Sequence, residues 1–362
     1  MTNSASSMSG IGFAMGSATL FGASTPLAKL LLGGISPWLM AGLLYLGAGI
    51  GLAAARLLSR WRGKPGSEAP LKAADLGWLA AIILFGGVAG PVLLMLGLVA
   101  TAASTTALLL NLEGLATLAI AWLVYRENVD LRIGIGAVAI LLGAVILSWQ
   151  GGIGHAGYGA VAIASACLCW GIDNNLTRKL SSSDPEQIAM IKGLVAGAVN
   201  LLIGLLWRGD DLPATGPLLV TLLLGFLGYG ISLVLFIYAL RYLGSARTGA
   251  YFSTAPFIGA VVAIAIFGEA VSLQLGVAGL LMAIGLYLHL AERHEHEHRH
   301  EAVLHDHAHV HDPHHQHAHG PGDPAGEPHA HAHRHVAMVH RHPHYPDLHH
   351  RHGHGCRSEP AS

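Results

Sequence analysis

Apolar residues fill the first 290 positions in long blocks broken by short polar punctuation. Stretches without a charged side chain cover 8–28, 30–55, 76–112, 133–154, 212–240 and 248–268. About 20 consecutive apolar residues carry a helix across a bilayer, so the longest block must hold two passes. Division at 33–37, at 101–105 and at the charged loops predicts ten helices, near 10–32, 37–58, 75–98, 103–124, 131–149, 156–178, 187–207, 215–241, 246–267 and 272–291. The fold class expected is an all-α integral membrane protein.

The ten helices form two copies of one pattern, at 10–149 and 156–291. Phe21-Gly22 in the first helix is echoed by Trp170-Gly171 in the sixth, and the segment ending Tyr125-Arg126-Glu127 by the one ending Phe267-Gly268-Glu269. Five passes are an odd number, so the second copy must be inverted relative to the first. The charges agree. The loop after the second helix holds Arg56, Arg60, Arg62, Lys64 and Lys72, whereas its counterpart holds Arg208, Asp210 and Asp211; the link at 100–104 is uncharged, whereas its counterpart has Arg241 and Arg247. Cytoplasmic loops gather Lys and Arg, and inverted repeats are a construction of secondary transporters.

No Lys or Arg precedes Lys29, so the first segment lacks the basic start of a secretory signal and is expected to remain. With the N-terminus inside, Arg126, Arg132, Arg178, Lys179, Arg241 and Arg247 join the five basic residues of the second loop on the cytoplasmic side, against Lys29 and Arg208 outside. Both termini are therefore expected in the cytoplasm, with the chain in the cytoplasmic (inner) membrane. Composition reinforces the assignment: 52% of residues are hydrophobic and 11% charged, against about 25% charged in soluble domains. Three cysteines cannot build a disulfide framework. Cys167 and Cys169 are about 200° apart around their helix and read as packing residues.

Polar side chains within spans are costly and mark candidate transport paths. Glu113 lies near the middle of the fourth helix beside Asn111. Asp173, Asn174 and Asn175 form a polar run on the sixth, and Lys192 and Asn200 lie on the seventh. Ser24 and Thr25 align with Asp173 and Asn174 in the repeat. The path is expected to use Glu113, Asn111, Asp173, Asn174 and Lys192. A carboxylate in low dielectric can exchange a proton, the chemistry of a proton-coupled antiporter, which suits Glu113; a packing pair of Glu113 with Lys192 or Asn111 is the alternative. Lys192 is expected to pair with Asp173. Successive residues of the 173–175 run are rotated by about 100°, so they cannot share one cavity. Kinks are expected at Pro26, Pro91 and Pro256, and structural roles for the helix-end residues Glu127 and Glu269.

Ten helices in two inverted copies, an aromatic-Gly pair in helices one and six, and a fourth helix of each copy ending in Glu before a short turn resemble the EamA-like members of the drug/metabolite transporter superfamily. The resemblance covers about 10–290. It implies a transporter of small organic solutes, often an exporter, with a central cavity lined by both copies and coupling to a proton or solute gradient. Proline in the fourth helix of each copy belongs to the pattern: Pro256 fits, whereas the first copy has Gly114 after Glu113.

Beyond His289 the composition changes. Residues 294–354 hold 23 of the 25 histidines, mixed with Glu, Asp, Pro and Ala. With few large apolar side chains, residues 292–362 are expected to be a disordered tail. Imidazole suits zinc, nickel, cobalt and copper, and runs such as His294, His296, His298 and His305, His307, His309 offer collective ligands for a divalent transition metal. Three functions compete: an exporter of an organic metabolite with a metal-binding tail, a nickel, cobalt or zinc efflux transporter, and a metal-buffering or pH-sensing membrane protein without transport. The first is favoured, because no His lies in mid-span to pass a soft metal. No nucleophile and base pair, nucleotide loop or fixed metal constellation points to an enzyme. No cofactor is required; a bilayer and a small-molecule substrate are the partners, nucleic acid is not one, and self-association is left open.

Overall fold

The computed structural model describes residues 3–62, 71–125, 131–149, 157–180, 183–290, 295–300, 304–309, 329–334 and 338–343. Among the described residues the chain forms ten helices: α1 Asn3–Leu31, α2 Pro37–Trp61, α3 Ala73–Ala100, α4 Ala103–Tyr125, α5 Leu131–Ser148, α6 Tyr158–Thr177, α7 Pro185–Trp207, α8 Thr215–Leu240, α9 Arg247–Phe267 and α10 Leu273–Leu290. Helical hydrogen bonding continues from Ser232 to Phe252, across the turn expected between α8 and α9. The chain nevertheless reverses there. Phe236 and Phe252 have ring centroids 5.0 Å apart, whereas 16 residues of straight helix would separate them by about 24 Å.

Exchange of the two copies maps the helix contacts onto one another. α1 packs on α8 and α9 while α6 packs on α3 and α4, and α2 with α7 and α5 with α10 form self-paired couples. Local sequence explains the correspondence. Ser36-Pro37 opens α2 and Asp184-Pro185 opens α7. Proline suits the first helical position because its missing N–H would have no partner there. The preceding side chain caps the helix: Ser36 accepts from Leu39 N–H at 3.3 Å, and Asp184 from Glu186 and Gln187 N–H at 2.9 and 3.1 Å. Each cap also ties the start of one helix to the end of the other. Ser36 donates to Asp210 at 2.5 Å, and Arg56 pairs with Asp184 at 2.5 Å.

The repeated aromatic-Gly pair has a packing cause. A Cβ at Gly22 would lie 2.3 Å from the Ala255 carbonyl oxygen, and one at Gly171 would lie 2.8 Å from the Ala116 Cβ. Only glycine lets α1 and α9, and correspondingly α6 and α4, cross so closely.

Helix irregularities are repeated too. α3 is π-helical over Ile83–Ala89 and α8 over Phe226–Ile231. α4 is interrupted by turns at Leu110 and Asn111, and α9 at Ser253 and Thr254, just before Pro256. Pro91 illustrates the expected effect of an intrahelical proline. It has no N–H to give to Gly87 four residues back, or to Gly86 in the π register five back. Those two carbonyls are taken by side chains: Gly87 O accepts from Asn200 Nδ2 at 3.1 Å, and Gly86 O from Tyr45 Oη at 2.7 Å and Trp170 Nε1 at 3.1 Å.

In the tail, the described residues are four strands: β1 Glu295–His300, β2 Leu304–His309, β3 His329–Arg334 and β4 Met338–Pro343. β1 pairs with β4 and β2 with β3, both antiparallel, the second ribbon nested within the first in sequence. A two-stranded ribbon is marginal alone in water. His294 lies outside the described residues.

Candidate functional site

The α4 break sets the position of Glu113. Asn111 caps it, donating to Leu108 O at 2.8 Å and approaching Met282 Sδ on α10 at 3.9 Å. Asn111 therefore faces α10 and does not join Glu113. The helix resumes at Leu112, and the Glu113 carboxylate accepts from Asn174 Nδ2 on α6 at 3.0 Å. Asn174 also reaches Thr117 Oγ1 at 3.2 Å.

The 173–175 run fans out as its rotation requires. Asp173 turns away from Glu113 toward α3 and α7, where it forms an ion pair with Lys192 and accepts from Thr177 Oγ1 at 3.4 Å. Asn175 donates to Thr117 O at 3.0 Å and to Gly171 O at 2.8 Å, so it serves the α4–α6 contact. Asp173 lies directly against the π segment of α3: a Cβ at Gly86 would be 2.1 Å from its Oδ2. The repeat places Ser24 in the same relation to α8, with a Cβ at Gly228 falling 2.7 Å from the Ser24 Cβ. The positions correspond; the chemistry does not, because the first copy has a hydroxyl where the second has a carboxylate.

The structure thus joins Glu113 to Asn174 and Asp173 to Lys192, in two adjacent clusters with different electrostatics. Asp173 is neutralised by a cation. Among the described residues, the hydrogen-bond donor to the Glu113 carboxylate is a neutral amide. Both belong to a helix-helix contact, in which Glu113 is partly buried.

An aromatic strip that begins beside the Asp173–Lys192 pair was missed in the sequence. Tyr45 and Tyr229 have ring centroids 5.7 Å apart, Phe21 and Tyr229 5.7 Å, and Phe21 and Phe252 5.4 Å. Tyr45 Oη donates to Gly86 O at 2.7 Å, beside the backbone against which Asp173 lies. A phenol in mid-span was the available signal, since its hydroxyl needs a partner when buried. It is inconspicuous beside a carboxylate.

At the opposite ends of α1 and α9 a second polar cluster ties loops together. Lys29 donates to Thr101 O, and the Glu269 carboxylate accepts from Ala103 N–H at 2.8 Å and Ser104 N–H at 3.0 Å, at the start of α4. Burial pushes the Glu269 carboxyl up, but the Ser104 and Ala103 hydrogen bonds and the Lys29 charge together bring it below its usual range. Glu127, its repeat counterpart, lies outside the described residues.

Among the described residues no group of three or more His, Cys, Asp or Glu side chains converges to hold a metal. Seven of the helices are long and apolar enough to cross a bilayer, and the shorter Leu273–His289 is also apolar. The EamA-like transporter family model matches twice, at residues 8–149 and 157–291. The chain belongs to the EamA-like transporter family. It is 31% identical over 282 residues to an uncharacterized transporter of Methanothermobacter thermautotrophicus, a match covering 74% of this chain and 82% of that protein. A crystal structure of a protein 20% identical in sequence superposes with a TM-score of 0.57, covering 79% of this chain and 96% of the other, which is a likeness of fold. This EamA-like protein is a multi-pass membrane transporter of a small molecule, a class that is generally not enzymatic.

Proposed function

We propose that this EamA-like transporter exports a small organic metabolite across the cytoplasmic membrane by alternating access, with both termini in the cytoplasm and Glu113 exchanging the coupling proton. The supporting observation is the contrast between the two carboxylates. Asp173 is held as an ion by Lys192, whereas Glu113 meets the neutral Asn174. A carboxylate that can take up and release a proton without stranding a buried cation suits coupling. The breaks in α4 and α9 and the π segments in α3 and α8 put deformable backbone at corresponding places in both copies, as rocking of one copy against the other needs.

The tail adds a metal-binding role that tunes activity. Its backbone register sets His305 opposite His333, His307 opposite His331 and His309 opposite His329 in one ribbon, with His296 opposite His342 and His298 opposite His340 in the other. Paired His-x-His runs supply imidazoles for a divalent transition metal. Metal efflux is disfavoured because no His lies in mid-span of the helical domain.

The test compares cells expressing the full chain, a truncation after Ala291, and Glu113→Gln, each challenged with nickel, cobalt or zinc, alongside inverted vesicles energised with a proton gradient and offered a pool of small metabolites. Proton-dependent accumulation of an organic solute by the full chain, lost in Glu113→Gln, is expected. Cellular metal should follow the presence of the tail and ignore Glu113. Metal content that falls with the full chain and recovers in Glu113→Gln would replace this reading with metal efflux.

A further inference from the structure

Every second residue of a strand returns to the same face of a ribbon, and directly paired residues share that face. In the inner ribbon His305, His307 and His309 stand opposite His333, His331 and His329, so six histidines occupy one face. In the outer ribbon His296 and His298 stand opposite His342 and His340, and His300 stands opposite Met338. Each histidine of β1 and β2 is thus paired with a residue that carries a nitrogen or sulfur donor. Carboxylates take the other faces: Glu295, Glu297 and Asp306 alternate with the histidines and are paired with Pro343, Arg341 and Ala332. Residues 301–303 on one side and 335–337 on the other separate the strands by equal lengths, so both ribbons keep a common register.

Two adjacent pairs on a histidine face put four Cα atoms at the corners of a rectangle of about 7 by 5 Å. Four ligands around one ion at about 2 Å is the arrangement zinc takes. The third pair of the inner face extends it to about 14 Å, too long for one ion to gather all six residues. From this register we propose that the ribbons are two separate metal sites, each holding one divalent transition-metal ion with four imidazoles contributed by two strands. His296, His298, His340 and His342 form the outer site; His307 and His331 with one flanking pair form the inner. The proposal rests on the metal-binding role of the tail and gives it a count, a geometry and an order of filling. An ion would gather side chains that the backbone register brings to a common face, and pin a pairing that is marginal by itself. Imidazoles, with the carboxylates on the opposite face, select zinc, nickel, cobalt or copper over magnesium and calcium. Loop closure sets the order. The inner site closes 310–328, whereas the outer site alone must close 301–337; with the inner site filled, only the two short gaps remain to be ordered. Closure cost grows with loop length, so the inner site fills first and tightens the outer about tenfold.

Zinc chloride titrated into the full-length purified protein is followed by calorimetry, and the zinc retained after dialysis is counted by elemental analysis. Two tight ions per chain are expected, unmoved by excess magnesium. His307→Ala with His331→Ala splits the inner face and should leave one ion, held about tenfold more weakly than the second ion of the wild type. His305→Ala with His333→Ala takes as many histidines from the same ribbon but spares four neighbouring ones, so it should retain both ions. His298→Ala with His340→Ala should leave one ion, bound as tightly as the first ion of the wild type. Any other count, equal losses from the two inner variants, displacement by magnesium, or an outer ion indifferent to the inner site overturns the proposal. If the full chain then still binds more zinc than the truncation after Ala291, the metal-binding reading of the tail stands and the ribbon sites alone were wrong; if it does not, both fall.

Discussion

Replacing Lys192 with methionine removes a cation while keeping most of the length and apolar stem of the side chain. The carboxylate left behind has little recourse to water. The Asp173 side chain is 7% exposed and that of Lys192 18%, and the Gly86 backbone presses on Asp173 so closely that even a Cβ there would lie 2.1 Å from Oδ2. Among the described residues, the other hydrogen bond to Asp173, from Thr177, is long at 3.4 Å. Removing one partner of a buried ion pair costs about 3–5 kcal/mol. At about 2–4 °C per kcal/mol for chains of 150–250 residues, Lys192→Met should lower the melting temperature by roughly 10 °C. Asp173→Asn combined with Lys192→Met removes both charges, so the double variant should melt well above Lys192→Met alone. Tryptophan-fluorescence melts in detergent of the wild type, both single variants and the double variant form the cycle. A Lys192→Met protein that melts like the wild type, or single losses that simply add in the double variant, would show that the two charges are not buried and mutually dependent.

Glu269→Gln should loosen the start of α4, with a loss of about 0.5–2 kcal/mol, the range for helix caps. Because the folded carboxyl lies below its usual range, its stabilisation is present above the unfolded carboxylate range and fades as pH falls through the folded value; melts from neutral to acid pH should show the wild type losing its advantage over Glu269→Gln. Gly22→Val should force α1 and α9 apart, since its first side-chain carbon already lies 2.3 Å from the Ala255 carbonyl oxygen; transport should fall sharply even in protein that reaches the membrane, and unchanged flux would contradict the close crossing. Asp184→Ala loses both the Arg56 pair and two cap bonds, whereas Arg56→Ala loses only the pair, so the former should be less stable by about 1 kcal/mol in matched melts.

The ten helices, their pairing into two inverted copies and the family membership were legible because they depend on one-dimensional quantities. Bilayer thickness fixes the length of an apolar block, and the odd number of passes fixes inversion. The rotation of about 100° per helical residue predicted that 173–175 would fan out, and so it does. Membrane charges seek partners, which led to Lys192 with Asp173. Asn111 shows the limit. Adjacent in sequence to the important segment, it is turned by the α4 break onto Leu108 and Met282, and a helix break is a cooperative result of packing that no local pattern displayed. The Ser232–Phe252 hydrogen bonding likewise runs on across a turn that charge patterning placed correctly.

What the sequence by itself determined, then, is the solvent of each part: a lipid-embedded body of ten apolar passes and a polar, histidine-laden tail. Transfer energies act residue by residue and need no knowledge of neighbours. The tertiary structure decided which carboxylate is paired with a cation and which meets a neutral amide. Glu113 and Asp173 are equally acidic in the sequence. They become different because α7 brings a lysine to one and α6 a neutral amide to the other, while Phe21, Tyr45, Tyr229 and Phe252 come together from four helices. Contacts among residues so distant along the chain exist only once the helices have packed.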